Sequence, residues 1–202
     1  MSTIIMNKGY YMRAYIKSNA YLITNQILNQ FGAAMMGLIL SAALGGSTNE
    51  GLILAVGIFS IGFYMVLQYT SLWDAGARDI IRVEGNRLKY RPYAGFVMSI
   101  FSSIPNFIIA ILITVGKVFG ETIENGGAFG FEWAGTMYTV GRFIALFWES
   151  MYNNIVRLYS PHNPIAFFLI PLPAMFAAGL GYYAGMKNFQ IIKTKKKEKK
   201  KK

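Results

Sequence analysis

Cysteine is absent from this 202-residue chain, and histidine occurs once, at His162. Disulfides, thiolate metal sites and cysteine nucleophiles are therefore excluded, and one histidine cannot build a multi-histidine metal centre. Charge is also scarce, at 14% of residues against roughly 25% in soluble domains. Acid is the scarcer sign: nine Asp and Glu stand against twenty Lys and Arg, for a net charge of +11. In a soluble protein that excess would point to nucleic acid. Here the basic residues sit at the ends of apolar runs and in a C-terminal tail, so nucleic acid is not the expected partner. No phosphate-cradling glycine loop, zinc motif or nucleophile elbow occurs. No cofactor, metal or catalytic residue is implied.

What is plentiful is apolar sequence, 54% of the chain. Four runs are long enough to cross a bilayer, at about 20–44, 51–72, 93–118 and 164–186. The expected fold is an all-α integral membrane protein with four transmembrane helices. The first run follows an arm, 1–19, carrying Lys8, Arg13 and Lys17, and opens with Asn25, Gln26, Asn29 and Gln30. That is unlike the short apolar core of a cleaved signal, so a retained span is expected. The second run ends in the interfacial aromatics Tyr64, Tyr69 and Trp73. Pro92 fits the first position of the third helix, and Pro105 near its middle predicts a kink. Asn163 and Pro164 open the last run as cap and first helical residue.

Between the second and third runs lies a polar insert, 73–92, holding eight of the 29 charged residues. Asp74, Arg78 and Arg82 fall on one helical face with Asp79 beside them, and Gly85-Asn86 is placed to end that short helix. Either the acids pair with arginines seated at lipid phosphates, or the arginines take an anion or a protein partner. Asp74-Ala-Gly-Ala-Arg78 is similar to the opening of the CDP-alcohol phosphatidyltransferase motif. The resemblance covers five residues. The family's later metal-binding aspartates are missing, since Glu84 is the one acid after Asp79 in the insert. The divalent-ion site that such phosphoryl chemistry needs is therefore not formed.

The segment 133–159 places Trp133, Met137, Val140, Ile144, Phe147, Met151, Ile155 and Leu158 at three- and four-residue steps. Arg142, Glu149 and Asn153 fall on the opposite face. One amphipathic helix is expected, interfacial or re-entrant on the outer side, with its polar face towards water or headgroups. His162 beyond it reads as a loop residue. With four spans, seventeen basic residues share one side of the bilayer and three the other. Lysine and arginine mark the inner face, so both termini and the insert are expected to be cytoplasmic in a plasma (inner) membrane. The tail, 188–202, has eight lysines in its last ten residues. It is expected to be disordered and drawn to anionic headgroups.

Small residues mark close helix contacts in lipid, which points to Ala33 and Gly37 on the first span and Ala177, Gly181 and Gly185 on the last. The polar rows Asn25 with Asn29 and Gln26 with Gln30 serve either as interhelical hydrogen bonds or as the lining of a polar path. Pro105 would help shape such a path by interrupting its helix. Three functions fit. The first is a small membrane subunit for transport or permeation of a small solute, acting with a protein partner or as a homo-oligomer. The second is an assembly scaffold; the third is a lipid-modifying enzyme acting at the insert. The charge distribution predicts that a tag fused behind Lys202 stays protected from protease added to intact cells. Digestion there would overturn the even number of crossings.

Overall fold

Every element among the described residues is a helix. The computed structural model describes residues 2–120, 131–159 and 163–189, with the side chains of 2–15 and 132 left aside. His162, the acidic loop around Glu121 and Glu124, and the tail beyond Phe189 lie outside the described residues.

Helix α1 (Ser2–Ala43) runs without a break through the expected arm, and ends where Gly45 and Gly46 take positive φ. Asn49 then caps α2 (Glu50–Glu84), its side chain accepting from the Leu52 amide at 3.2 Å. The expected insert is not a separate segment, because α2 continues past Trp73 to Glu84 and stops at Gly85. Asn86, at φ 55, makes the left-handed turn. At ~1.5 Å per residue α2 is ~52 Å long, well beyond a ~30 Å hydrocarbon core.

The third run forms α3 (Ala94–Ser102) and α4 (Ile104–Gly120), bent by 47° at Ser103. Pro105 is the second residue of α4, and its ring cannot sit against the Phe101 carbonyl four residues back. The bend falls between them.

The single helix expected over 133–159 is instead two, α5 (Glu132–Trp148) and α6 (Ser150–Tyr159), broken at Glu149. Asn153 donates to the Leu146 carbonyl at 2.9 Å, a side-chain bond that closes the end of α5 in place of a continued ladder. The facing is also inverted. Trp133, Val140, Ile144 and Phe147 point away from the protein, while Ala134, Gly141, Ala145 and Glu149 point inward. The chain ends in α7 (Ala166–Leu169) and α8 (Pro171–Met186), entered through Asn163, whose Oδ1 accepts from the Ile165 amide at 3.0 Å.

Three helical stretches are long and apolar enough to cross a membrane: Ile16–Ala43, Glu50–Glu84 and Ala166–Met186. The bent pair α3–α4 makes a fourth if it counts as one span.

The register of the contacts fixes the directions. Helix α2 runs antiparallel to α1, since Asn25 meets Ser71 and Gln30 meets Tyr64. Helices α2 and α8 run parallel, with Gly181 against the Tyr69 carbonyl and Gly185 against the Trp73 carbonyl. Gly76 answers from α2 against the Tyr182 carbonyl. Helix α5 lies antiparallel to α4, with Gly116 against Tyr138 and Gly141 against Ile113. It also descends α1, where Trp148 meets Phe31 and Ile144 shares a groove with Met35. Helix α6 reverses that course: Met151 backs onto Gly37 and Asn154 onto Ser41. The α5–α6 pair is thus a hairpin whose turn is inside the bundle.

A side chain at Gly185 has nowhere to go, because a Cβ there would overlap the Trp73 carbonyl. Gly185→Leu is expected to lower stability by about 1–3 kcal/mol, the range for overpacking. Gly62→Leu, where nothing lies within 4 Å, should leave it unchanged. Thermal unfolding in mild detergent compares the two, and equal melting would remove the seam from the packing account.

Candidate functional site

Inside this apolar bundle the helices meet through polar side chains. Gln26 and Gln30 lie one turn apart on the same face of α1, and Tyr64 with Gln68 do so on α2. Ser102 and Asn106 repeat the spacing across the α3–α4 bend. Matched spacing on adjacent helices brings all three pairs into one register.

At the upper level, Gln30 Nε2 donates to Asn106 Oδ1 at 2.5 Å, and Asn106 Nδ2 donates back to Gln30 Oε1 at 3.2 Å. Trp148 Nε1 donates to the same Asn106 oxygen at 2.9 Å, and the Tyr64 hydroxyl to Gln30 Oε1 at 3.3 Å. One turn away, Gln68 Nε2 donates to the Gln26 carbonyl at 3.0 Å and to the Tyr64 hydroxyl at 3.1 Å. Ser102 Oγ donates to Gln26 Oε1 at 3.1 Å. Five helices are tied together by this set. Interhelical hydrogen bonds in membranes contribute about 0.6 kcal/mol each on average.

Glu149 lies at the turn between α5 and α6. It is 1% exposed, and neither carboxyl oxygen has a hydrogen-bond partner. Tyr64 and Tyr152 are near enough to interact with it electrostatically, and their rings meet edge-on at 6.3 Å. Gln68 Oε1, Gln26 Nε2 and the Tyr152 hydroxyl are also buried and unpartnered. Beside the carboxyl, Ser150 Oγ donates to the Ala34 carbonyl and anchors the turn on α1.

The polar groups continue to both ends. Towards the start of α6, Ser41 Oγ donates to Asn154 Oδ1 at 3.3 Å. At the other end, Asn25 Nδ2 donates to Ser71 Oγ at 2.8 Å. That pair lines a groove of about 370 Å³ together with Asn29, Thr70, Asp74 and Arg78. Polar side chains thus recur at successive levels of a column between the groove and Asn154.

The residues singled out from sequence divide accordingly. Gln26 and Gln30 belong to the column, whereas Asn25 and Asn29 line the groove at its mouth. Pro105 is half-buried next to Asn106. Ala33, Gly37, Ala177, Gly181 and Gly185 are all buried at helix contacts. In the charged part of α2, Arg78 pairs with Asp74 at 3.1 Å and Arg82 with Asp79 at 3.2 Å. The Tyr182 hydroxyl donates to Asp79 at 2.9 Å, tying α8 to α2. Exposed pairs of this kind add little stability. Arg142, expected towards water, lies over the Phe167 ring at 5.1 Å, and Glu149, expected on that same face, is fully buried.

Gln68, Ser102, Asn106, Trp148 and Tyr152 were not singled out from sequence, and Tyr64, expected as an interfacial aromatic, is instead buried between the helices. Their signal was available: polar pairs four residues apart inside apolar runs, matching the pair on α1. Among the described residues no cluster of three His, Cys, Asp or Glu could hold a metal ion. No known family model, curated protein or solved structure matches this chain.

Replacing Gln30 with leucine strands the Asn106 amide, at a cost of about 1–3 kcal/mol for an unsatisfied buried group. Gln30→Leu with Asn106→Leu should cost less than the two single changes together, by at least about 0.5 kcal/mol. A double-mutant cycle of unfolding free energies in detergent measures this. Strict additivity would mean that the two amides do not support each other.

Proposed function

We propose that this chain is a multi-pass membrane protein with a polar path for transport or permeation of a small solute. The four spans are α1, α2, α3 with α4, and α7 with α8. The α5–α6 hairpin enters from the outer side and turns back near the middle of the bundle. The helix directions support this reading, since α1 and α3 run one way and α2 and α8 the other. The basic residues then collect at the inner face with both termini, in a plasma membrane with anionic headgroups against them. A second copy or a partner protein completes the assembly.

The observation that carries the reading is the buried polar column, with an unpaired carboxyl at its centre. Polar and ionisable groups inside a bilayer are expensive, and those that persist commonly line a pathway. Interrupted helices are the other mark of such sites, and the column passes between the bend at Ser103 and the break at Glu149. If helix packing were the only demand on these positions, apolar and small residues would satisfy it, as they do along α2 and α8.

The lack of cysteine makes the path directly testable. Single cysteines at Asn25, Gln68 and Asn154 are expected to react with a small, charged, membrane-impermeant thiosulfonate in sealed vesicles. Cysteines at Leu72 and Ala178, buried in a separate apolar cluster, should remain silent. Protection of all three column positions from both sides of the membrane would show a dry cluster, and the path would have to be abandoned.

A further inference from the structure

We infer that Glu149 is the proton-carrying group of this path, its carboxylate taking up a proton from water on one side of the membrane and releasing it to the other. The inference rests on the transport reading above and specifies the ion it uses. Proton balance is simple: a carboxylate becomes a carboxylic acid on uptake and is regenerated on release, with no other bond made or broken.

The first argument is isolation. Both oxygens of the carboxyl lack a hydrogen bond, and no lysine or arginine pairs with it among the described residues. Among the described residues no ion pair accounts for a carboxyl here. Burying a fixed, unpaired charge is prohibitively costly, and groups in such places exchange protons instead. The groups facing it confirm the absence of a counter-charge. Helix α2 offers Tyr64 and α6 offers Tyr152. The neighbouring Trp148 bonds the neutral amide of Asn106, which pairs with that of Gln30. On α5, Arg142 is engaged over Phe167, a residue that adds no titratable group of its own. Arg157, at the far end of α6, is exposed.

The second argument separates a proton from a metal cation. A bound cation needs several free oxygens converging on it. Here the oxygens of Gln30 and Asn106 are already occupied by N–H and O–H donors from each other, Trp148 and Tyr64. Gln68 Oε1 and the Tyr152 hydroxyl are unoccupied, but among the described residues no second acid joins Glu149 in a metal-holding group, whereas a proton needs one carboxyl.

The third argument is connection. Tyr64 links Gln68 to Gln30 by hydrogen bonds on the groove side, and Asn154 meets Ser41 on the other. Hydroxyls and amides with spare donors and acceptors can order water between them. The unpartnered Tyr152 hydroxyl and Gln68 Oε1 are such groups.

The test uses the full chain in vesicles of phosphatidylcholine and phosphatidylglycerol, with a trapped pH dye and a potassium-diffusion potential. The wild type should conduct protons, and Glu149→Gln should cut that flux by about a hundredfold, the scale of losing a proton-transfer group. Glu50→Gln, exposed at the start of α2, should conduct normally. In parallel, a hydrophobic carbodiimide should label Glu149, detected by peptide mass spectrometry. Labelling should fall as pH rises and ignore added sodium or potassium. Proton flux undiminished in Glu149→Gln would overturn the inference, as would protection of the label by an alkali cation at constant pH. If Glu149→Gln does not assemble, labelling of the wild type decides, and an unlabelled Glu149 sinks the assignment. Reactive column cysteines combined with normal flux in Glu149→Gln would leave the path standing and remove the proton alone. Silent cysteines with flux that depends on Glu149 would keep the proton site and remove the solute path.

Discussion

A polar group buried among apolar helices does best with a partner inside the protein, and this requirement organises much of the interior. Gln30, Asn106, Trp148 and Tyr64 satisfy one another at one level, which fixes the heights of α1, α4, α5 and α2 together. Once those heights are set, the end of α5 is committed to the bundle interior. Glu149 follows Trp148 directly and shares its position. The carboxyl is there because its neighbour's indole N–H is anchored on Asn106.

The second constraint is backbone proximity. Glycines at 76, 181 and 185 let α2 and α8 touch through their main chains, with no flexible side chain between them. Such a seam has little freedom to slide. The hairpin at Glu149 is held differently, by Ser150 and Met151 against α1 and by Trp148 against Asn106. The α2–α8 seam therefore rests mainly on glycine, whereas the hairpin combines glycine contacts at Gly37 and Gly116 with hydrogen bonds. Hydrogen bonds can exchange partners one at a time. Interlocked backbones cannot.

Much of this was legible in the sequence where the signal did not depend on the solvent. Helix ends at Asn49 and Gly85 follow from capping chemistry that works in any medium, whereas the last run turns helical only at Ala166, three residues past the expected cap Asn163. The glycine spacing on α8 and the two polar rows on α1 were equally plain, and Gln26 and Gln30 lie inside as one alternative required. The misreading concerned 133–159, and its cause is physical. The periodicity predicts one helix whose polar face, with Arg142, Glu149 and Asn153, turns to water or headgroups. Along α5 the large apolar residues Phe143 and Phe147 lie outward, and Ala145 and, at its end, Glu149 lie inward. The break at Glu149 was not legible, because no glycine or proline marks it. It arises from Asn153 capping Leu146 and Ser150 reaching Ala34, contacts that exist only after the helices meet.

The two discontinuities also belong together. The bend at Ser103 precedes α4 and the break at Glu149 follows α5, and between them α4 and α5 form one antiparallel pair packed through Gly116 and Gly141. The pair is tied at this level to α1 by the bonds among Gln30, Asn106 and Trp148. A rigid tilt of that pair would concentrate its dihedral changes at two places where the helical ladder is already interrupted. It would disturb the hydrogen bonds next to Glu149 while sparing the glycine seam of α2 and α8.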